Sequence, residues 1–227
     1  MRIAVLSDIH GNLLALDAVM NDLEQQAVDE VWCGGDLGWG GPWASECIAR
    51  VRKEGWPTVR GNTDVWITGD PQTIDDPFKR ESFEEMARAH AISEEDAKWL
   101  LNLPMGYSAT GSILLVHATP ESPFDAPLPD EPPARFVPYA GKAALVVYAH
   151  VHRAFVRRLA DGTIVANTGA VGFPMDGDTA SYLIIETQGA EYSLMHRRVR
   201  FDRRGGLAQA KELGDPIESV FRQALGG

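Results

Sequence analysis

Only two cysteines, Cys33 and Cys47, occur in 227 residues, and they form neither a disulfide framework nor a close-spaced zinc motif. The chain therefore reads as one of a reducing compartment, with both thiols serving as small buried hydrophobes and neither as a metal ligand. No apolar run approaches the ~18 residues that a membrane span needs. The segment Arg2-Ile-Ala-Val-Leu-Ser7 enters a strand pattern at once, without the basic stretch, apolar core and cleavage site of a leader. A cytoplasmic protein with no membrane partner is expected. Basic charge is also scarce: Lys plus Arg number 21 against 32 Asp plus Glu, for a net charge of −11. That balance disfavours nucleic acid as a partner, and the densest basic run, Arg197 to Arg204, reads as a solvated strand and turn. Repeats, low-complexity tracts and linkers are missing as well, so a single domain over residues 1–227 is expected.

The first third alternates strand and helix. Ile3 to Leu6 is a short apolar run, and Asn12 can cap a helix carrying Leu13, Leu16, Met20 and Leu23 near helical spacing. Val31 to Cys33 reads as a second strand, Pro42 leads a helix ending near Gly55, and Thr58-Val59 suggests a third strand. Such alternation implies parallel strands. From Asp64 to about Leu103 a polar stretch with Asp-Pro breaks precedes helices over Phe83 to Ala91 and, after a Ser93 cap, Glu94 to Leu101. This is a helical insertion at about 65–103. Its aromatic residues Trp66, Phe78, Phe83 and Trp99 suit substrate selection, a dimer contact or a cap with its own small core. Ile113 to Val116 resumes a buried strand, and residues 120–138, with seven prolines, form an irregular loop. Strands then follow over 144–149, 154–159, 163–166, 182–186 and 192–201, with Asp161-Gly162 as a tight turn, and one closing helix spans 207–224.

Polar clusters follow the predicted strands directly: Asp8-Ile-His10, Gly35-Asp36, Gly61-Asn62, His117 and His150-Val-His152. In open α/β sheets ligands collect at the carboxyl ends of strands, so these distant segments can share one site. In an extended segment, Asp-x-His and His-x-His point both side chains the same way. Each pair alone is weak, because Asp after a strand is often a turn former and a lone His is often structural. Together they are harder to dismiss. Four of the six histidines lie at strand ends, interleaved with Asp8, Asp36 and Asn62 in a mixed nitrogen and oxygen set suited to Mn, Fe, Zn or Ni. His90 and His196 stay outside this set and read as an exposed helix residue and a strand residue. Gly34, Gly35, Gly61, Gly169 and Gly172 permit tight turns and close backbone approach.

At this point the chain resembles the calcineurin-like metallophosphoesterases, whose pattern runs D-x-H, G-D, G-N-x-D, H and G-H-x-H. Here it reads Asp8-Ile-His10, Gly35-Asp36, Gly61-Asn62-Thr63-Asp64, His117 and Ala149-His150-Val151-His152. The similarity is greatest to the small bacterial and archaeal phosphodiesterases of that superfamily, which carry an N-P-G-S-V-G-like segment, matched by Asn167-Thr-Gly-Ala-Val-Gly172. The resemblance implies a four-layer αββα sandwich of two mixed β-sheets flanked by helices. It also implies two divalent ions, manganese first and iron, nickel or zinc as alternatives. One would be held by Asp8, His10, Asp36 and His152, the other by Asp36, Asn62, His117 and His150, with Asp36 bridging. Two such ions ~3.5–4 Å apart can share a hydroxide and stabilise both oxygens of an in-line displacement. Asp36, Asn62, Asp64 and His117 would then serve catalysis on a small or nucleotide-derived phosphate ester, and the resemblance leaves room for a homodimer. Asp64 either orients Asn62 or a ligand histidine, or caps the segment that follows.

Four positions depart from the pattern. Thr63 stands where phosphomonoesterases of the superfamily carry a histidine, and a hydroxyl cannot act as a general acid near neutral pH. Diesters, or esters with good leaving groups, are therefore expected as substrates. Ala149 replaces a glycine, and Thr168 and Met175 replace proline and arginine, so Met175 implies a more apolar substrate wall. The alternatives are a non-catalytic scaffold on the same fold, against which the complete ligand set argues, and a nuclease, against which the charge argues.

Overall fold

The computed structural model describes residues 1–69, 77–108, 112–189 and 191–226, the side chains of 77–79 excepted. The Phe78 side chain and most of the Asp-Pro stretch therefore lie outside what is described. The first half holds β1 (Arg2–Leu6), α1 (Leu13–Leu23), β2 (Glu30–Cys33), α2 (Ala44–Glu54), α3 (Asn62–Trp66), α4 (Pro77–His90) and α5 (Glu94–Leu101). Next come β3 (Gly106–Tyr107), β4 (Ile113–Val116) and a 3-10 helix (Pro133–Tyr139). Strands β5 (Leu145–Tyr148), β6 (Phe155–Arg158), β7 (Ile164–Asn167), β8 (Ala180–Gln188) and β9 (Glu191–Val199) precede α6 (Arg203–Leu213) and α7 (Ile217–Ala224).

Two mixed sheets stack face to face, ordered β2-β1-β8-β9 and β3-β4-β5-β7-β6. β1 runs parallel to β2 and antiparallel to β8, while β4, β5 and β7 are mutually parallel. The side-chain period of two sorts each strand between layers. Ile3 and Val5 of β1 join Leu115, Val147 and Leu183 in the core between the sheets. Ala4 and Leu6 face the other way, onto Leu16, Val19 and Ile48 of α1 and α2. A strand covered on both faces needs a continuous apolar run, which is what β1 carries. Beyond the second sheet, Val146 and Tyr148 pack on Phe136 and Tyr139 of the 3-10 helix, so this outer layer is thinner than the helical one. The arrangement is the two-sheet sandwich flanked by helices that the resemblance implies.

Two elements differ from expectation. Residues 58–59 add no strand: Thr58 makes a single bridge to Cys33, because Pro57 lacks an amide hydrogen for a longer ladder and the chain turns at once toward Gly61. The closing helix is two helices, broken at Gly214, whose φ is +76°, and at Pro216, which cannot continue α6. The helical insertion shares the main core, with Met86, Leu100 and Leu103 in the same cluster as Leu16 and Ile48. Both cysteines are buried and free, and burial pushes both thiols upward in pKa. No helix among the described residues is long and apolar enough to cross a membrane.

Candidate metal centre

The parallel strands β1, β2, β4, β5 and β7 all end at one edge of the sandwich, and the polar clusters leave from these ends, except Asn62, which opens α3. Asp8 Oδ1 lies 3.3 Å from His152 Nε2, and His10 Nε2 lies 3.2 Å from His152 Nε2. Asp36 Oδ2 stands 3.6 Å from His10 Nε2 and 3.5 Å from His117 Nε2. Asn62 Oδ1 is 3.0 Å from His117 Nε2 and 2.9 Å from His150 Nδ1. Donor atoms of Asp8, His10, Asp36 and His152 all fall within 4.8 Å of one another. All seven sequence-predicted ligands thus converge, although they come from segments up to 144 residues apart, from Asp8 to His152.

They converge by a backbone route that the sequence pattern does not convey. Asp8, His10, Asp36, His150 and His152 all have positive φ, between +50° and +66°, and among the described residues only Ala27 and Ala91 are other non-glycine examples. The two x-separated pairs are therefore left-handed at both ends rather than extended, which corrects the alternation argument. Left-handed backbone costs an L residue roughly 1–2 kcal/mol, and such residues persist only where surrounding structure fixes them. Main-chain bonds do so here. Asp8 N–H donates to Gly35 O at 3.0 Å, His10 N–H to Asp36 O at 3.0 Å and Gly172 N–H to Asp8 O at 2.9 Å. The packing leaves no room for larger residues: a Cβ on Gly172 would sit 1.8 Å from Ile9 O, and one on Gly61 would sit 2.0 Å from Asp36 Oδ1.

The tautomers follow from the carbonyls behind the rings. His10 Nδ1 donates to Trp39 O at 2.8 Å, His152 Nδ1 to Phe173 O at 2.8 Å and His117 Nδ1 to Gly34 O at 2.7 Å. A carbonyl only accepts, so each Nδ1 carries the hydrogen and each ring, when neutral, turns an Nε2 lone pair inward. His10 and His152 then present two lone pairs 3.2 Å apart, beside two carboxylates. Such a set of acceptors repels itself unless a proton or a cation lies among them. The donor chemistry, imidazole nitrogen with carboxylate and amide oxygen, fits a divalent transition metal.

Electrostatics agree. Burial alone would raise Asp8, but the neighbouring His152 pulls it well below the usual carboxylate range. Burial works to lower His152, and Asp8 outweighs it and pushes the ring upward. Burial lowers His10 to about 4, and burial with His117 lowers His150 to about 4.

Asp64 is fully buried and accepts the backbone N–H groups of Gly61, Asp36 and Leu37 at 2.8, 2.9 and 2.9 Å. It pins the Asp36 loop to the Asn62 loop and is a positioning residue by contact. Burial and the nearby Asp36 raise its pKa to about 6, against those three bonds. Thr63 N–H holds Asp36 Oδ1 at 2.9 Å, while the Thr63 hydroxyl is buried with no hydrogen-bond partner among the described residues. His90 is buried rather than exposed, because its Nε2 accepts Gly40 N–H at 2.8 Å. His196 lies on β9 and bonds Asn167 O. Sequence reasoning missed the carbonyls of Gly34, Trp39 and Phe173, since every residue has one. It also missed Ser7, whose hydroxyl donates to Asp8 Oδ2 at 2.6 Å and meets Thr168 Oγ1 at 2.6 Å.

The profile of the calcineurin-like phosphoesterase superfamily domain matches residues 1–190. The chain belongs to this superfamily. It is 29% identical over 220 residues to the uncharacterized protein MJ0912 of Methanocaldococcus jannaschii, covering 88% of each. A metallophosphoesterase from Sphaerobacter thermophilus superposes with a TM-score of 0.77 and 28% identity, over 99% of this chain and 98% of that one. The hypothetical protein PH1004 of Pyrococcus horikoshii shares the fold, with a TM-score of 0.79 at 19% identity over 97% of each chain.

Proposed function

We propose that the protein is a two-metal phosphodiesterase acting on a small or nucleotide-derived ester, with Asp8, His10, Asp36 and His152 holding one divalent ion and Asp36, Asn62, His117 and His150 the other. The observation that carries this reading is Asp36 Oδ2, which stands 3.6 Å from His10 Nε2 and 3.5 Å from His117 Nε2, midway between the two groups of ligands. Bound there, the ions supply Lewis acidity toward phosphoryl oxygens and lower the pKa of water. The chain's own residues hold the geometry. Thr63 N–H occupies Asp36 Oδ1 and leaves Oδ2 to face inward. Asp64 fixes the two loops, and three carbonyls fix three rings. No histidine stands at position 63 to protonate a departing alkoxide, so esters with good leaving groups, diesters above all, suit the site better than unactivated monoesters.

The test is hydrolysis of bis-p-nitrophenyl phosphate and p-nitrophenyl phosphate by stripped protein reloaded separately with Mn, Fe, Ni, Zn or Mg, alongside Asp36→Asn. Metal-dependent turnover favouring the diester, greatest with Mn and lost in the variant, is expected. Folded protein that binds two ions per chain and cleaves neither ester with any metal would overturn the reading and leave a metal-stabilised scaffold.

A further inference from the structure

Of the seven candidate ligands, six are at most 7% exposed and His150 alone is half-buried, so the metal centre meets solvent at this ring and a substrate reaches it from that side. The segments that bring Asn62 and His117 to His150 each bring an aromatic ring as well. Asn62 opens α3 and Trp66 closes it. Residues four apart share a helix face, and a rise of ~1.5 Å per residue sets Trp66 about 6 Å along the axis from Asn62. His117 follows β4 and leads into the loop that carries Phe124. The Trp66 and Phe124 rings meet, with centroids 6.2 Å apart. Asp125, the next residue, is held below the usual carboxylate range by Arg135, and His150 adds to that effect, which sets this stretch of loop beside the exposed ligand.

Among the phenylalanines, tyrosines and tryptophans whose side chains are described, Phe124 is the one exposed ring, at 36%. Its loop is nevertheless pinned. Thr119 and Ser122 exchange main-chain bonds at 2.9 and 3.3 Å, Ser122 Oγ accepts Phe124 N–H at 3.2 Å, and Asp125 accepts two bonds from the Arg135 guanidinium at 2.7 and 2.9 Å. Behind Phe124 the rings are packed: Trp66 lies 4.5 Å from Phe83 and 6.0 Å from Trp39, whose carbonyl orients His10. A fixed, solvent-facing ring backed by Trp66 is a stacking surface, because a flat π system can settle on it with little left to order. This wall recognises by rings rather than by charge, since the guanidinium of Arg135 is already paired with Asp125 and Glu131.

We infer that Phe124, backed by Trp66, is the specificity-determining platform of the site, and that it stacks the base of a nucleotide ester whose phosphate lies at the metal centre. The inference rests on the phosphoesterase reading, and its test separates the two. Calorimetry on the full, metal-loaded chain would compare AMP with ribose 5-phosphate, which keeps the sugar and phosphate and lacks the base, for the native protein, Phe124→Ala and Phe124→Tyr. Phe124 belongs to none of the three core clusters, so its ring can be removed without opening the core.

AMP is expected to bind about tenfold more tightly than ribose 5-phosphate. Phe124→Ala should erase that advantage and leave ribose 5-phosphate unchanged, whereas Phe124→Tyr, which keeps a ring, should retain it. Equal affinity of native protein for the two would overturn the platform. So would an AMP preference that survives Phe124→Ala, or a variant that loses both ligands alike, which would make the ring a support of the metal centre. If bis-p-nitrophenyl phosphate is cleaved while AMP shows no advantage that depends on Phe124, the platform fails and the phosphoesterase reading stands. If no ester is cleaved with any metal but the AMP preference falls with Phe124, base recognition stands and the hydrolytic reading fails.

Discussion

The two sides of the ligand cluster are built differently. On one side His10 and His152 are buried, both rings are locked by carbonyls, and Asp8 is held by Ser7 and by its own strained backbone. On the other side only His117 is locked in this way. His150 is half-buried, and its Nε2 has no hydrogen bond among the described residues. Asn62 contributes a neutral amide where the first side contributes the carboxylate of Asp8. A preorganised, charged half-site binds a cation more tightly than a looser, neutral one, because less ordering entropy remains to be lost. The closed side should therefore retain its ion and the open side should exchange it.

Asp36 belongs to both sides, so its replacement has the largest effect. Asp36→Asn is expected to lower kcat on the order of 10³-fold, several kcal/mol at about 1.4 per decade, and to weaken both ions. Elemental analysis after gel filtration checks the second part, and loss of one ion alone would mean that Asp36 serves a single side. Thr63 adjoins Asn62 on the open side, and a histidine there introduces a proton donor. Thr63→His should raise the ratio of monoesterase to diesterase activity by up to about 10²-fold. An unchanged ratio would disprove the account of diester preference. Smaller again is the contrast between two alanine variants under chelator competition. His152→Ala should weaken the tighter ion by about 10-fold or more, and His150→Ala only the weaker one. Equal effects would erase the distinction between the sides.

How much of this was legible beforehand depends on what kind of atom does the work. The ligands were legible because Asp and His are rare side chains to find after four strand ends in one chain, with Asn62 opening α3 between them. The buried strands were legible because β1, β4 and β5 are continuous apolar runs, whereas their pairing into a two-sheet sandwich came from the family resemblance. The Asn12 and Ser93 caps were legible too, each accepting an amide hydrogen three residues on. The locks were not, since Gly34, Trp39 and Phe173 act through main-chain oxygens that no residue type announces. The left-handed backbone at Asp8 and His10 was hidden for a related reason: long-range bonds to the Asp36 loop impose it, and local propensity would have chosen otherwise. Pro216, by contrast, is a visible breaker, and only the helical spacing of apolar residues on both sides of it makes one helix of two.

The smallest expected effect tests whether the closed side is also where acid acts. His90, at the end of α4, accepts Gly40 N–H; Gly40 follows Trp39, whose carbonyl orients His10. Burial holds His90 down from 6.5 to about 4. Between those pH values the unfolded chain binds a proton that the folded chain refuses, so stability is full above about 6.5 and falls as pH drops toward 4. The slope from this one group is at most about 1.4 kcal/mol per pH unit. Protonation also removes the acceptor that Gly40 requires, so the loss falls on the loop behind His10 and not on the His150 side. A glutamine in place of His90 would keep an acceptor and lose the titration. Urea unfolding of His90→Gln at pH 7 and pH 5 should therefore show a smaller drop than the native chain. An identical drop in both would place the acid-sensitive group elsewhere and detach α4 from the closed half of the metal centre.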